Sequence, residues 1–139
     1  MEDRQPTAPA MRYSHTSITV RSIDESLQFY TQVLGLVPAG RRRIEENHAE
    51  IAFVSDPATG ARIEFTHWDG KDRFEPGEQL DHIAFEVEDL DAALARARQH
   101  GARVGKPPYA LAGRPGRIAF LIDPNEVWIE LIDRAPRPS

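Results

Sequence analysis

Apolar residues recur along the chain in two rounds of one order. From His15 to Val20 polar and apolar residues alternate, as in a strand with one buried face. Ser22-Ile-Asp-Glu25 has the form of a capping box. Ile23, Leu27, Tyr30 and Leu34 then return at helical spacing, and Gly35 suits the position just past a helix end. Strands are expected at about 40–45, at 49–55 and at 61–67, with Asp56-Pro-Ala-Thr-Gly60 as the turn between the last two.

The second round begins at His82, where His82 to Val87 reads as a strand. Asp89 can cap a helix that buries Leu90, Ala93, Leu94 and Ala97 and stops at Gly101. The closing hairpins match closely: IAFVSDPATGARIEF over 51–65 stands against IAFLIDPNEVWIEL over 118–131. Each carries Ile-Ala-Phe, then Asp-Pro in a turn, then Ile-Glu in the next strand. Strands, helix and turn all recur in order, as expected of an internal repeat.

This pattern predicts an α+β fold of two βαβββ modules whose strands curl into a half-open barrel with the helices outside. The expected organisation is a disordered lead-in over 1–12, a first module over 13–68, a charged linker over 69–80, a second module over 81–132 and a tail over 133–139.

Composition narrows the chemistry. With 139 residues the chain can build one compact core, and 40% apolar and 28% charged residues are ordinary for a globular protein. A net charge of -5 argues against a general nucleic-acid binder. The N-terminal stretch lacks the apolar run of a secretory signal, and no segment is long and apolar enough to span a bilayer. A cytoplasmic protein is the default expectation. There are no cysteines, so any metal must be held by nitrogen and oxygen ligands.

Four such ligands sit at matching places. His15 precedes Glu64 by 49 residues and His82 precedes Glu130 by 48. Each His opens a strand and each Glu lies in the strand that closes its module. Side chains two apart in a strand share a face. His15 shares its face with Ser17 and Thr19, Glu64 with Arg62 and Thr66, His82 with Ala84 and Glu86, and Glu130 with Trp128 and Ile132. The opposite face is the more apolar every time and should pack on the helices, so all four ligands are expected to line one cleft. Two imidazoles and two carboxylates suit Zn²⁺, Ni²⁺, Co²⁺, Fe²⁺ or Mn²⁺. One His or Glu alone would read as an ordinary surface group; the quartet in register with the repeat points to a metal site. His48 and His100 read as surface positions, and the parity of His67 turns it away from the cleft.

The chain resembles the vicinal oxygen chelate superfamily, and within it glyoxalase I. The resemblance runs over about 13–132 and is carried by His15-Thr16, SLQFYTQVLGL over 26–36, Ile63-Glu64-Phe65-Thr66-His67, Asp81-His82-Ile83-Ala84, and Asp123-Pro124 to Leu131. It implies His15, Glu64, His82 and Glu130 as ligands of one divalent ion, Ni²⁺ or Zn²⁺ foremost. It implies Glu130 and Glu64 as the catalytic carboxylates, with Glu130 moving the proton, and a homodimer whose sites are completed across the interface. The implied reaction isomerises the hemithioacetal of a 2-oxoaldehyde and a thiol, such as glutathione, into a thioester by way of an enediolate.

Related epimerases usually carry Gln where this chain has Glu64, and extradiol dioxygenases hold Fe²⁺ without an acid there. A small-molecule or antibiotic-binding protein on the same scaffold often lacks the quartet. On the substrate side Thr19 stands where an Arg often grips glutathione, and Arg114 or Arg117 stands near the place of a loop lysine. Trp128, on the face of Glu130, is expected to wall the pocket. Of Arg41, Arg42 and Arg43, alternation lets only some face the cleft. Lys106 to Arg117 is rich in Pro and Gly and reads as a cover or a surface loop.

Overall fold

In a computed structural model the chain is described over residues 12–73, 75, 77, 80–113 and 115–134. The expected lead-in and tail lie almost wholly outside these residues. The element order is β1 (Thr16–Thr19), α1 (Ile23–Gln28), β2 (Val37–Ile44), β3 (Ala49–Ser55), β4 (Arg62–Trp68), β5 (Ile83–Val87), α2 (Leu90–Gln99), β6 (Arg103–Ala110), β7 (Arg117–Ile122) and β8 (Trp128–Asp133).

The helices begin where the caps place them. Ser22 accepts a hydrogen bond from the Glu25 amide at 3.1 Å, and Asp89 accepts one from the Ala92 amide at 3.0 Å. The first helix widens into a π-helical turn over Phe29–Val33, closed by Gly35 at φ +79°. The Thr31 hydroxyl bonds back to the Leu27 carbonyl there at 2.7 Å.

The strands form two four-stranded sheets in the orders β1-β4-β3-β2 and β5-β8-β7-β6. In each, the first strand runs parallel to the last, and the rest of the sheet is antiparallel. The repeat in the sequence is thus a repeat in topology. One stretch departs from expectation. Lys106, Pro107, Pro108 and Tyr109, expected at the start of a cover or surface loop, belong to β6, an edge strand with register shifts after Val104 and Lys106. An edge tolerates proline because the missing amide faces no neighbouring strand.

The two sheets share one core. Ile18, Val54 and Phe65 of the first sheet, Leu121, Ile129 and Leu131 of the second, and Tyr30, Leu90 and Leu94 of the helical segments form a single buried cluster. A polar network crosses it. Asp123, fully buried in the β7–β8 turn, accepts from the Tyr30 hydroxyl at 2.8 Å and from the amides of Asn125 and Val127 at 2.7 Å each. Asn125 donates to Ser26 at 3.0 Å and accepts from the Arg21 amide at 3.1 Å. Burial pushes the Asp123 carboxyl above the ordinary carboxylate value, against the pull of its donors, and pushes the Tyr30 phenol well up as well. The first module is therefore fastened to the second by its helix, not only by the linker.

Candidate metal centre

Strand pairing builds two His/Glu pairs of one design. In the first sheet Ser17 pairs with Glu64 and Glu64 with Phe53. In the second, Ala84 pairs with Glu130 and Glu130 with Phe120. Paired residues share a face, so each glutamate stands between a parallel edge strand that a histidine precedes and the phenylalanine of Ile-Ala-Phe. His15 Nε2 lies 3.7 Å from Glu64 Oε1, and His82 Nε2 lies 3.0 Å from Glu130 Oε1. Each imidazole meets its phenylalanine edge-on, at 5.1 Å for His15–Phe53 and 5.9 Å for His82–Phe120.

The other ring nitrogens are already engaged. His15 Nδ1 is 2.7 Å from the Ser14 hydroxyl, and His82 Nδ1 is 2.7 Å from Asp81 Oδ2. A hydrogen bond at Nδ1 fixes the ring and leaves Nε2 as the nitrogen facing the carboxylate, available to a ligand. The carboxylates are the more sheltered partners: the Glu64 and Glu130 side chains are 17% and 13% exposed, against 31% and 34% for His15 and His82. A chain of hydroxyls supports Glu64. Ser17 and Thr66 bond at 2.9 Å, and Thr66 reaches toward Glu64 Oε1 at 3.5 Å.

Nε2 nitrogens beside sheltered carboxylate oxygens form a hard-to-borderline donor set that fits a divalent ion of the Ni²⁺ or Zn²⁺ kind. The donors are gathered in twos, however, and not in one cleft. Among the described residues no group of three or more His, Cys, Asp or Glu side chains could hold one ion. The reason is the shared core. Both sheets turn their apolar faces inward onto it, so each His/Glu face lies on the far side of its own sheet from that core. Parity correctly separates the faces of each strand; it carries no information on how two sheets orient to one another.

Other sequence candidates fall as follows. Trp128 shares the face of Glu130, stands edge-on to Phe120 at 5.6 Å and lies against Gly105, where an added Cβ would meet its ring at 2.8 Å. Thr19 pairs with Thr66 on the Glu64 face and is half-buried. Arg117 is turned to the helix side with Ala119 and Leu121 and is ion-paired to Asp91 at 3.0 Å, away from the His/Glu face. Arg114 lies outside the described residues. Arg41 and Arg43 are tied to Asp24, Glu50, Glu45 and Asp69, whereas Arg42 pairs with Ile51 on the Glu64 face. His67 turns away from that face, with Nδ1 3.1 Å from the Val20 carbonyl. Sequence reasoning missed the two phenylalanines and the Ser17–Thr66 pair. The repeated Ile-Ala-Phe and the parity of Thr66 were the available signals.

A family model described as the Glyoxalase/Bleomycin resistance protein/Dioxygenase superfamily matches residues 12–131. The chain is 35% identical over 123 residues to a probable lactoylglutathione lyase of Vibrio cholerae serotype O1, covering 87% of this chain and 89% of that one. It is 36% identical over 125 residues to a lactoylglutathione lyase of Escherichia coli O157:H7, covering 88% and 93%. The crystal structure of glyoxalase I from Zea mays superposes with a TM-score of 0.81 at 26% identity over 91% of this chain; the chain spans about half (46%) of the maize protein.

Proposed function

Because the chain belongs to the Glyoxalase/Bleomycin resistance protein/Dioxygenase superfamily, we propose that it is a metal-dependent lyase of the lactoylglutathione lyase type. It isomerises the hemithioacetal of a 2-oxoaldehyde and a thiol into a thioester. Its relatives named lactoylglutathione lyase support glyoxalase-type activity. The observation that carries the reading is one arrangement occurring twice: an imidazole Nε2 facing a sheltered carboxylate, with Nδ1 held from behind.

Two donors are too few to hold a divalent ion firmly. A two-fold homodimer places the first half-site of one copy opposite the second half-site of its partner, and does so twice. His15 and Glu64 of one copy would then hold the ion together with His82 and Glu130 of the other. When bound, the ion supplies a Lewis acid for negative charge on the substrate oxygens.

The protein's own groups do the rest. Glu130 takes the proton from the carbon bearing the hydroxyl and returns it to the neighbouring carbon, while the hydroxyl proton passes to the former carbonyl oxygen. The hydroxyl carbon becomes the thioester carbonyl, and no co-reactant is consumed. The carboxylate is sheltered, which favours proton transfer to carbon over exchange with water. Trp128 and Phe120 form an apolar wall beside it, and Thr19 lies on the opposite half-site.

The test is turnover of methylglyoxal plus glutathione after loading the apoprotein separately with Ni²⁺, Zn²⁺ or Fe²⁺. Thioester formation with at least one ion is expected; failure with all three would sink this reading.

A further inference from the structure

Positions 62 and 128 are structural equivalents carrying unlike chemistry. Each lies two residues before the glutamate of its half-site, and each side chain packs against the phenylalanine of the repeat. The Arg62 guanidinium lies 4.0 Å from the Phe53 ring centroid, and the Trp128 ring lies 5.6 Å from that of Phe120. Pairing of Thr16 with Ile63 sets Arg62 alongside His15. A site assembled from the two half-sites has a cationic wall on one side and an aromatic wall on the other.

Arg62 differs from the chain's structural arginines. Arg21, Arg41, Arg43, Arg103 and Arg117 each have a carboxylate within ion-pair distance. Among the described residues Arg62 has none, yet it is half-buried and its guanidinium carbon lies over the Phe53 ring. Stacking presets the fork of guanidinium donors without consuming it, so little rotamer freedom remains to be lost on binding. The matching ligand is a planar anion that accepts two parallel hydrogen bonds.

We propose that Arg62 determines specificity by receiving a carboxylate of the substrate, whose apolar part lies against Trp128 and Phe120. This deepens, and rests on, the reading of the site as a hemithioacetal isomerase. The carboxylate comes either from the thiol or from the 2-oxoaldehyde.

Three adducts separate these sources on the metal-loaded protein: methylglyoxal with glutathione (acid on the thiol), 4,5-dioxopentanoate with N-acetylcysteamine (acid on the aldehyde), and methylglyoxal with N-acetylcysteamine (no acid). Arg62→Ala is expected to lower kcat/KM about 10- to 100-fold for an acidic adduct, the span of a hydrogen-bonded charge. The neutral adduct should change by no more than about twofold, a few tenths of a kcal/mol. Arg62→Lys should recover part of the loss, and the adduct that suffers identifies the source.

Calorimetry with S-methylglutathione and with 4-oxopentanoate gives a readout independent of turnover, with weaker binding expected in Arg62→Ala for one of them. Equal losses on all three adducts, or none on either acidic one, overturn the proposal while leaving the isomerase reading intact. Arg62-dependent binding without turnover of any adduct does the reverse. Neither binding nor turnover overturns both.

Discussion

Tyr30, in the π-helical turn of the first module, donates a 2.8 Å hydrogen bond to Asp123 in the second, and both side chains are fully buried. Removing that donor leaves the carboxylate under-satisfied in a low-dielectric core. Tyr30→Phe is expected to cost about 1–3 kcal/mol, and Asp123→Ala, which strands several donors, about 3–5 kcal/mol. Denaturant titration measures both; a Tyr30→Phe midpoint equal to wild type would refute the network's contribution.

The same carboxyl gives a pH signature. Its folded value is raised by burial, so the folded chain holds this proton more tightly than the unfolded chain does. Its contribution to stability is fully present below the ordinary carboxylate value and is lost as pH rises through the raised folded value. The unfolding free energy of wild type minus that of Asp123→Asn should therefore fall over that window and level off above it. A difference that rises with pH would contradict the direction of the shift.

Two His/Glu pairs that one chain does not gather into a single group, under the proposed dimeric site, predict complementation between dead variants. A chain with His15→Ala and Glu64→Ala, and another with His82→Ala and Glu130→Ala, should each be inactive alone. Mixed one to one after subunit exchange, random pairing gives about half heterodimers, each with one intact site of two, so about a quarter of wild-type activity returns. No recovery despite proven exchange would mean that each chain completes its own site.

Glu130→Gln keeps the shape of the side chain but removes the base of the proposed mechanism. Turnover should fall at least about 10²–10⁴-fold. The melting temperature and dimer mass should stay unchanged. Wild type should carry one divalent ion per chain by metal analysis, and prolonged chelation should remove activity that adding the ion restores.

Gly105 lies beneath the Trp128 indole, with room for no side chain: an added Cβ would stand 2.8–3.0 Å from the indole and Ile122. Gly105→Ala should displace the ring and cost about 1–3 kcal/mol by overpacking. A changed tryptophan emission with a raised KM is the expected outcome, and an unaltered spectrum would place the strain elsewhere.

Much of this was legible in the chain. Ser22 and Asp89 announce their helices because a capping side chain acts within three residues. The parity of Glu64 and Glu130 holds because a strand has a strict period of two. What stayed hidden is non-local. Which way two apolar sheet faces turn depends on contacts such as Tyr30–Asp123, 93 residues apart, so the sequence points to one four-ligand cleft where the chain holds two separate His/Glu pairs. Pro107 and Pro108 read as a loop because local propensity says nothing of an edge that tolerates them. Arg117 is drawn off by Asp91, a partner on a helix 26 residues away.

The unlike pair Arg62 and Trp128 bears on why two modules are joined in one chain. A pair of identical single modules can enclose only a symmetric chamber, with the same residue on both walls, and a two-ended molecule fits such a chamber equally well in either direction. Fusing two copies of the module frees each wall to drift on its own. Divergence between the two halves, with Arg62 set against Trp128 and the Ser17–Thr66 hydroxyls against Ala84 and Ile132, would give a site built from both a head and a tail, and with them one direction in which a guest can lie.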